Sequence, residues 1–162
     1  MAASPERLLA IYLEDHLAGA SAGVELARRA ARNNAGTELG AAFARLSAEI
    51  EEDRQTLRRI LGLLGFRASR AKEALAVAGE RVGRLKLNGR IREYSPLSRV
   101  LELEALSTGI AGKLALWRSL QAVALQSLAG VDLAQLADRA ERQRSDVEEL
   151  RLAAVRLAFP GR

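Results

Sequence analysis

Between Leu39 and Leu64 the chain sets its core-type positions at alternating steps of four and three: Leu39, Phe43, Leu46, Ile50, Asp53, Leu57, Ile60 and Leu64. That spacing keeps one face of an α-helix turned toward a partner along its whole length, as in a bundle seam. One member of the stripe, Asp53, is a carboxylate. A charge placed in the middle of an apolar seam needs a partner, because an isolated buried carboxylate is very costly.

The flanking segments carry similar stripes. Ser4-Pro5 and Ser95-Pro96 each pair a capping hydroxyl with a proline suited to the first helical position, so each opens a helix. Asn33-Asn34-Ala35-Gly36 closes the first helix, and Thr37 caps the second. From Ser95 the stripe reads Val100, Leu103, Leu106, Ile110, Lys113, Trp117, Leu120 and Ala124. From Asp132 it reads Leu133, Leu136, Ala140, Gln143, Val147, Leu150, Ala154 and Leu157. The spacing predicts long helices over about 5–32, 37–64, 96–128 and 132–158, and a short one over 69–83, in a single domain covering 1–162. Almost no alternation of β-branched residues is present, so strands are not expected. Aromatics are only 4% of the chain, which leaves the core to Leu, Ile, Val and Ala.

Each long stripe has a polar residue near its middle, and counting from the turns places these at similar heights. Asp15 lies 20 residues before Ala35 and Asp53 18 after it, a mismatch of ~3 Å at ~1.5 Å per residue. If the second and third long helices run parallel, Lys113 falls within about a turn of Asp53, and Gln143 falls about a turn from the same height. The expected polar layer is therefore Asp15 or His16, Asp53, Lys113 and Gln143. For the first helix two inward stripes remain open. One runs Leu8, Tyr12, Asp15, Gly19, Ala22, Leu26; the other runs Leu9, Leu13, His16, Ala20, Gly23, Ala27. The small run Gly19 to Gly23 reads as close helix packing.

Four long helices with short first and third connections and a long second one resemble the ferritin-like superfamily. The resemblance covers roughly residues 4–158 and implies an up-down-down-up bundle with a helix-containing crossover. It also implies a di-metal centre built on two Glu-x-x-His pairs, which this chain departs from. His16 is its only histidine. Where the pairs would end, the second helix has Gln55 and the fourth has Arg144, and Lys113 stands where a carboxylate is needed. The expectation is a non-enzymatic bundle of structural or interaction type, with no cofactor, associating with itself or another protein. The alternative is a degenerate metal site for iron or manganese, or a small-ligand site, near His16, with Asp15, His16 and Asp53 as ligands.

The charge pattern supplies a further alternative. Residues 67–92 hold eight basic residues against two acidic ones, while the rest of the chain is nearly balanced. Arg81, Arg84, Lys86 and Arg90 could hold an anion or nucleic acid. Aromatics occur only at the edges of that segment, as Phe66 and Tyr94, so a solvated basic surface is favoured. Cysteine is absent, which removes disulfides and thiolate metal sites. A phosphate-binding loop is absent too, and a Ser-His-Asp triad has only His16 to draw on. No apolar run approaches the ~18 residues of a membrane span, and no leader pattern opens the chain, so a cytoplasmic location is expected.

Overall fold

The computed structural model describes residues 3–66 and 94–161. Four long α-helices account for most of them: α1 (Pro5–Asn33), α2 (Glu38–Leu63), α3 (Pro96–Val123) and α4 (Leu133–Ala158). A single 3-10 turn, Gln126–Leu128, joins α3 to α4. Among the described residues there is no strand. The short helix expected over 69–83 and the anion-binding candidates Arg81, Arg84, Lys86 and Arg90 lie outside the described residues.

The helix starts follow their capping chemistry. The Ser4 hydroxyl accepts from Arg7 N, Thr37 from Gly40 N, Ser95 from Ser98 N and Asp132 from Gln135 N. Each contact satisfies a first-turn N–H that has no partner inside its helix. The end of α2 is set by Gly65. Its φ of 72° lets the chain reverse while Phe66 N donates to Leu61 O at 2.9 Å and Gly65 N to Gly62 O at 3.0 Å.

The end of α3 departs from the expectation. The helix stops at Val123 instead of running to 128, because Ala124 adopts a left-handed conformation with φ 49°. Its N–H closes onto Leu120 and Gln121 carbonyls, a termination that no glycine or proline announces.

Each helix gives one face to a shared core. Leu13, Leu17, Val24, Phe43, Ile60, Leu103, Ile110, Trp117, Leu120, Ala140 and Val147 are almost wholly excluded from water. The stripes of α2, α3 and α4 turn inward: most members are buried, Leu39, Leu64, Lys113, Leu133 and Leu150 are half-buried, and the terminal Ala124 and Leu157 are exposed. The inward line of α1 is Leu13, Leu17, Val24, Ala27. Of the two stripes proposed for α1, the second shares Leu13 and Ala27 with the buried line, but its His16, Ala20 and Gly23 are only half-buried. Asp15 lies two residues from Leu13, about 200° around the helix, and is exposed.

The α1–α2 turn is locked by polar contacts. Asn34 is 3% exposed. Its side-chain nitrogen donates to Ala30 O at 2.8 Å and to the Tyr94 hydroxyl at 2.5 Å, and its oxygen accepts from Arg99 at 2.8 Å. Tyr94 in turn donates to Glu102 at 2.9 Å, and Arg29 stands 3.6 Å from the same carboxylate. This clasp ties the beginning of α3 to the end of α1. Burial raises both Tyr94 and Glu102 above their ordinary pKa values, although for Tyr94 the bond from Asn34 and for Glu102 the Tyr94 hydroxyl and Arg29 act in the opposite sense.

Candidate functional site

Asp53 is 2% exposed and faces across the core from α2. Lys113 of α3 donates from Nζ to Asp53 Oδ2 at 2.5 Å. The same ammonium donates to the side-chain oxygen of Gln143 on α4. Arg139, one turn before Gln143, donates to the other Asp53 oxygen and to Glu52 at 2.8 Å. Gln143 passes its amide N–H to Glu49 at 2.6 Å. The result is one continuous chain, Glu52–Arg139–Asp53–Lys113–Gln143–Glu49, in which each buried polar group faces a complementary one.

Helical spacing explains the assembly. Glu49 and Asp53 lie four residues apart on α2, and Arg139 and Gln143 four apart on α4, so each pair shares a face. Burial pushes the Lys113 ammonium below the usual lysine value. Asp53 opposes that shift, Arg139 adds to it and Glu49 opposes it.

Of the expected layer, Asp53, Lys113 and Gln143 meet, although counting placed Gln143 about a turn from the other two. Asp15 does not join them, because α1 is rotated so that this side chain points to water. Glu14, its neighbour in sequence, is buried, at 7% exposure. His16 is half-buried and stacks edge-on against Tyr12, with ring centres 4.6 Å apart and planes at 77°. Burial holds the imidazole below its ordinary pKa, and Asp15 pulls weakly the other way. Arg139, Glu49 and Glu52 belong to the network without having been anticipated. The available signal was their position one turn away from, or next to, a polar stripe residue.

A cavity of about 510 Å³ lies against this layer. Asp53 and Lys113 form part of its wall; His16, Tyr12 and the exposed Asp15 form another part; Trp117 and Leu116 line it from α3. Its width comes from missing side chains. Gly19 and Gly23 of α1 and Gly109 and Gly112 of α3 all line it. A Cβ added at Gly19, Gly109 or Gly112 would meet nothing within 4 Å, and one at Gly23 would meet only Ile50, at 3.8 Å. The run Gly19 to Gly23, expected to bring helices together, instead helps hold this space open.

The wall is mostly apolar with a few polar groups, and the volume falls within the ~300–1,000 Å³ of small-molecule sites. Among the described residues the indole Nε1 of Trp117, sealed inside a side chain only 1% exposed, has no hydrogen-bond partner. A buried donor left in that state costs about 1–3 kcal/mol. Among the described residues the His16 imidazole also makes no hydrogen bond.

A di-metal centre does not fit these residues. The layer that would hold it contains two cations, Lys113 and Arg139, and they occupy both oxygens of Asp53. Among the described residues no group of three His, Cys, Asp or Glu side chains could hold a metal ion. The alternative set Asp15, His16 and Asp53 therefore does not come together, since Asp15 faces solvent and Asp53 is already taken.

Among the described residues no helix is long and apolar enough to cross a membrane. Comparison of the chain with family models, with curated proteins and with solved structures yields no match.

Proposed function

We propose that this chain is a ferritin-like, up-down-down-up four-helix bundle without a di-metal centre, and that its role is to hold a small molecule rather than to catalyse a reaction. Two sets of contacts and one short turn support the helix order. Tyr12, early in α1, bonds to Ser119, late in α3, while Asn34 just after α1 meets Arg99 near the start of α3. Glu49 and Glu52 of α2 meet Gln143 and Arg139 of α4 in reversed order. The short α1–α2 turn makes those two helices antiparallel, so α2 and α3 share a direction. Parallel helices that follow one another in sequence require a long connection, and residues 67–93 supply one.

The observation that carries the functional reading is the cavity beside a charged layer that is already neutralised. Catalysis by acid and base needs a titratable group free to exchange a proton with a substrate. Here Asp53, Lys113 and Arg139 are committed to one another. What remains is a half-open, largely apolar cavity, which is the property of a binding site.

Protein purified without chelator, examined by elemental analysis and by thermal melting against a panel of small apolar compounds, tests this reading. The expected result is metal well below stoichiometric, together with ligand-dependent stabilisation that Gly112→Leu abolishes. Stoichiometric iron, manganese or zinc overturns it, as does a panel in which no compound raises the melting temperature.

A further inference from the structure

Besides the Tyr12 phenol, four ionisable groups stand in the cavity wall: Asp15, His16, Asp53 and Lys113. Asp53 and Lys113 offset one another through their shared hydrogen bond, and Arg139 holds the second Asp53 oxygen. Burial keeps the His16 ring below its ordinary pKa, so it is uncharged at neutral pH. The charge left over belongs to Asp15. Its carboxylate is exposed at the rim, and among the described residues it enters no hydrogen bond or ion pair.

The polar network behind the wall does not cancel that charge. Glu49, Glu52 and Asp53 set three carboxylates against the two cations Lys113 and Arg139. The cavity therefore lies between a layer with one negative charge in excess and a rim that adds another.

This arrangement fits a ligand with two parts. Gly19, Gly109 and Gly112 leave room for an apolar body. A cationic group attached to that body would rest at the mouth against Asp15, where it keeps part of its hydration. His16 follows Asp15 in the chain, and its neutral ring has a bare nitrogen that can accept from the same cation. An anionic group would face the unpaired carboxylate, and the nearest cation, Lys113, is already taken by Asp53 and Gln143.

We infer that the cavity binds an apolar amine, an uncharged body carrying one protonated nitrogen, with Asp15 as its counter-charge; this names the ligand class of the small-molecule site proposed above and rests on that reading.

The chain has one tryptophan, and it lies in the wall, so its emission reports occupancy of this site. Three probes share one body and differ in charge: 3-cyclohexylpropylamine, 3-cyclohexylpropan-1-ol and 3-cyclohexylpropanoate. Trp117 emission, with calorimetry alongside, gives their affinities for the full chain at neutral pH and low ionic strength. The amine is expected to bind about threefold more tightly than the alcohol and about tenfold more tightly than the carboxylate, the scale of one exposed ion pair gained or reversed. Asp15→Asn, a surface substitution that should leave the melting temperature unchanged, is expected to bring the amine to the level of the alcohol and leave the alcohol as it was.

An amine that binds no better than the alcohol overturns the inference and leaves the cavity reading standing. Tightest binding by the carboxylate overturns it in favour of an anion site at Lys113. An amine preference that survives Asp15→Asn overturns the assignment of the counter-charge. Failure of all three probes to bind removes the small-molecule reading itself, and the inference with it. Gly112→Leu, checked for helical content by circular dichroism, should abolish binding of every probe; retained binding in the folded variant places the site elsewhere and overturns the assignment.

Discussion

Lys113 and Asp53 share a 2.5 Å hydrogen bond between α3 and α2, with side chains 11% and 2% exposed. The pair is therefore bound by the rule for charges held out of water, in which removing one partner is far worse than removing both. Asp53→Leu is expected to destabilise the fold by about 3–5 kcal/mol, because Lys113 keeps its charge and loses its carboxylate. Asp53→Leu combined with Lys113→Met should recover most of that loss. Urea denaturation of the parent, both single variants and the double variant checks this, and strictly additive losses would deny the coupling.

His16 gives the stability a pH dependence of predictable sign. Its folded pKa lies below the ordinary 6.5, so the fold favours the neutral ring. As pH drops through 6.5 the unfolded chain takes up a proton before the folded one does, and the fold loses stability until the folded value is passed. Above 6.5 the contribution is complete. Glu102 acts in the opposite direction, since its folded pKa is raised above 4.5: stability falls as pH rises from 4.5 through the folded value. Melting temperatures between pH 4 and 8 should lose their His16 limb in His16→Gln and their Glu102 limb in Glu102→Gln.

Glycines on the cavity wall should trade stability against binding. A glycine inside a helix costs roughly 0.5–1 kcal/mol relative to alanine. Gly109→Ala and Gly112→Ala place a methyl group where nothing stands within 4 Å, so each is expected to stabilise the protein by about that amount. The same variants should weaken probe binding. Thermal melting and probe titration on one preparation read both effects.

Gly40 should show the reverse. A Cβ there would sit 2.1 Å from the backbone oxygen of Asn34, which no side-chain rotation can relieve. Gly40→Ala is expected to cost about 1–3 kcal/mol by forcing the α1–α2 turn apart. Asn34→Ala, which unties Tyr94 and Arg99 from that turn, should cost a similar ~1–3 kcal/mol through buried groups left without partners. Denaturant midpoints for both variants check the pair.

Ala124 offers a simple gain. Its left-handed conformation at the end of α3 is one that glycine adopts freely and alanine does not. Ala124→Gly is expected to raise stability by up to about 1 kcal/mol, measured as a shift in melting temperature.

What could be read from the sequence follows from how each feature is encoded. Regular apolar spacing and capping residues are local signals, and they located four helices and the facing stripes of α2, α3 and α4. Heights counted from the turns brought Asp53 and Lys113 to one level because helical rise is nearly constant, and left Gln143 about a turn away. The rotation of α1 was less legible. Its sequence Leu8-Leu9-Ala10-Ile11-Tyr12-Leu13 is apolar on every side, so period alone does not choose a face. Arg139, Glu49 and Glu52 escaped notice because long side chains reach inward from the edge of a stripe. The cavity was hidden for a different reason: it arises from side chains that are absent on two helices far apart in sequence, and no local pattern records an empty space.

The chain Glu52–Arg139–Asp53–Lys113–Gln143–Glu49 has a consequence for which packing the protein chooses. Stripes of leucine and alanine that repeat every seven residues look nearly the same after a helix slides by one or two turns. Apolar contact alone therefore discriminates poorly among such slipped arrangements. A slide of one turn moves Lys113 by ~5.4 Å, which parts it from Asp53 and Gln143 together. Every misaligned packing thus strands charge in the core, and only one alignment of α2, α3 and α4 does not.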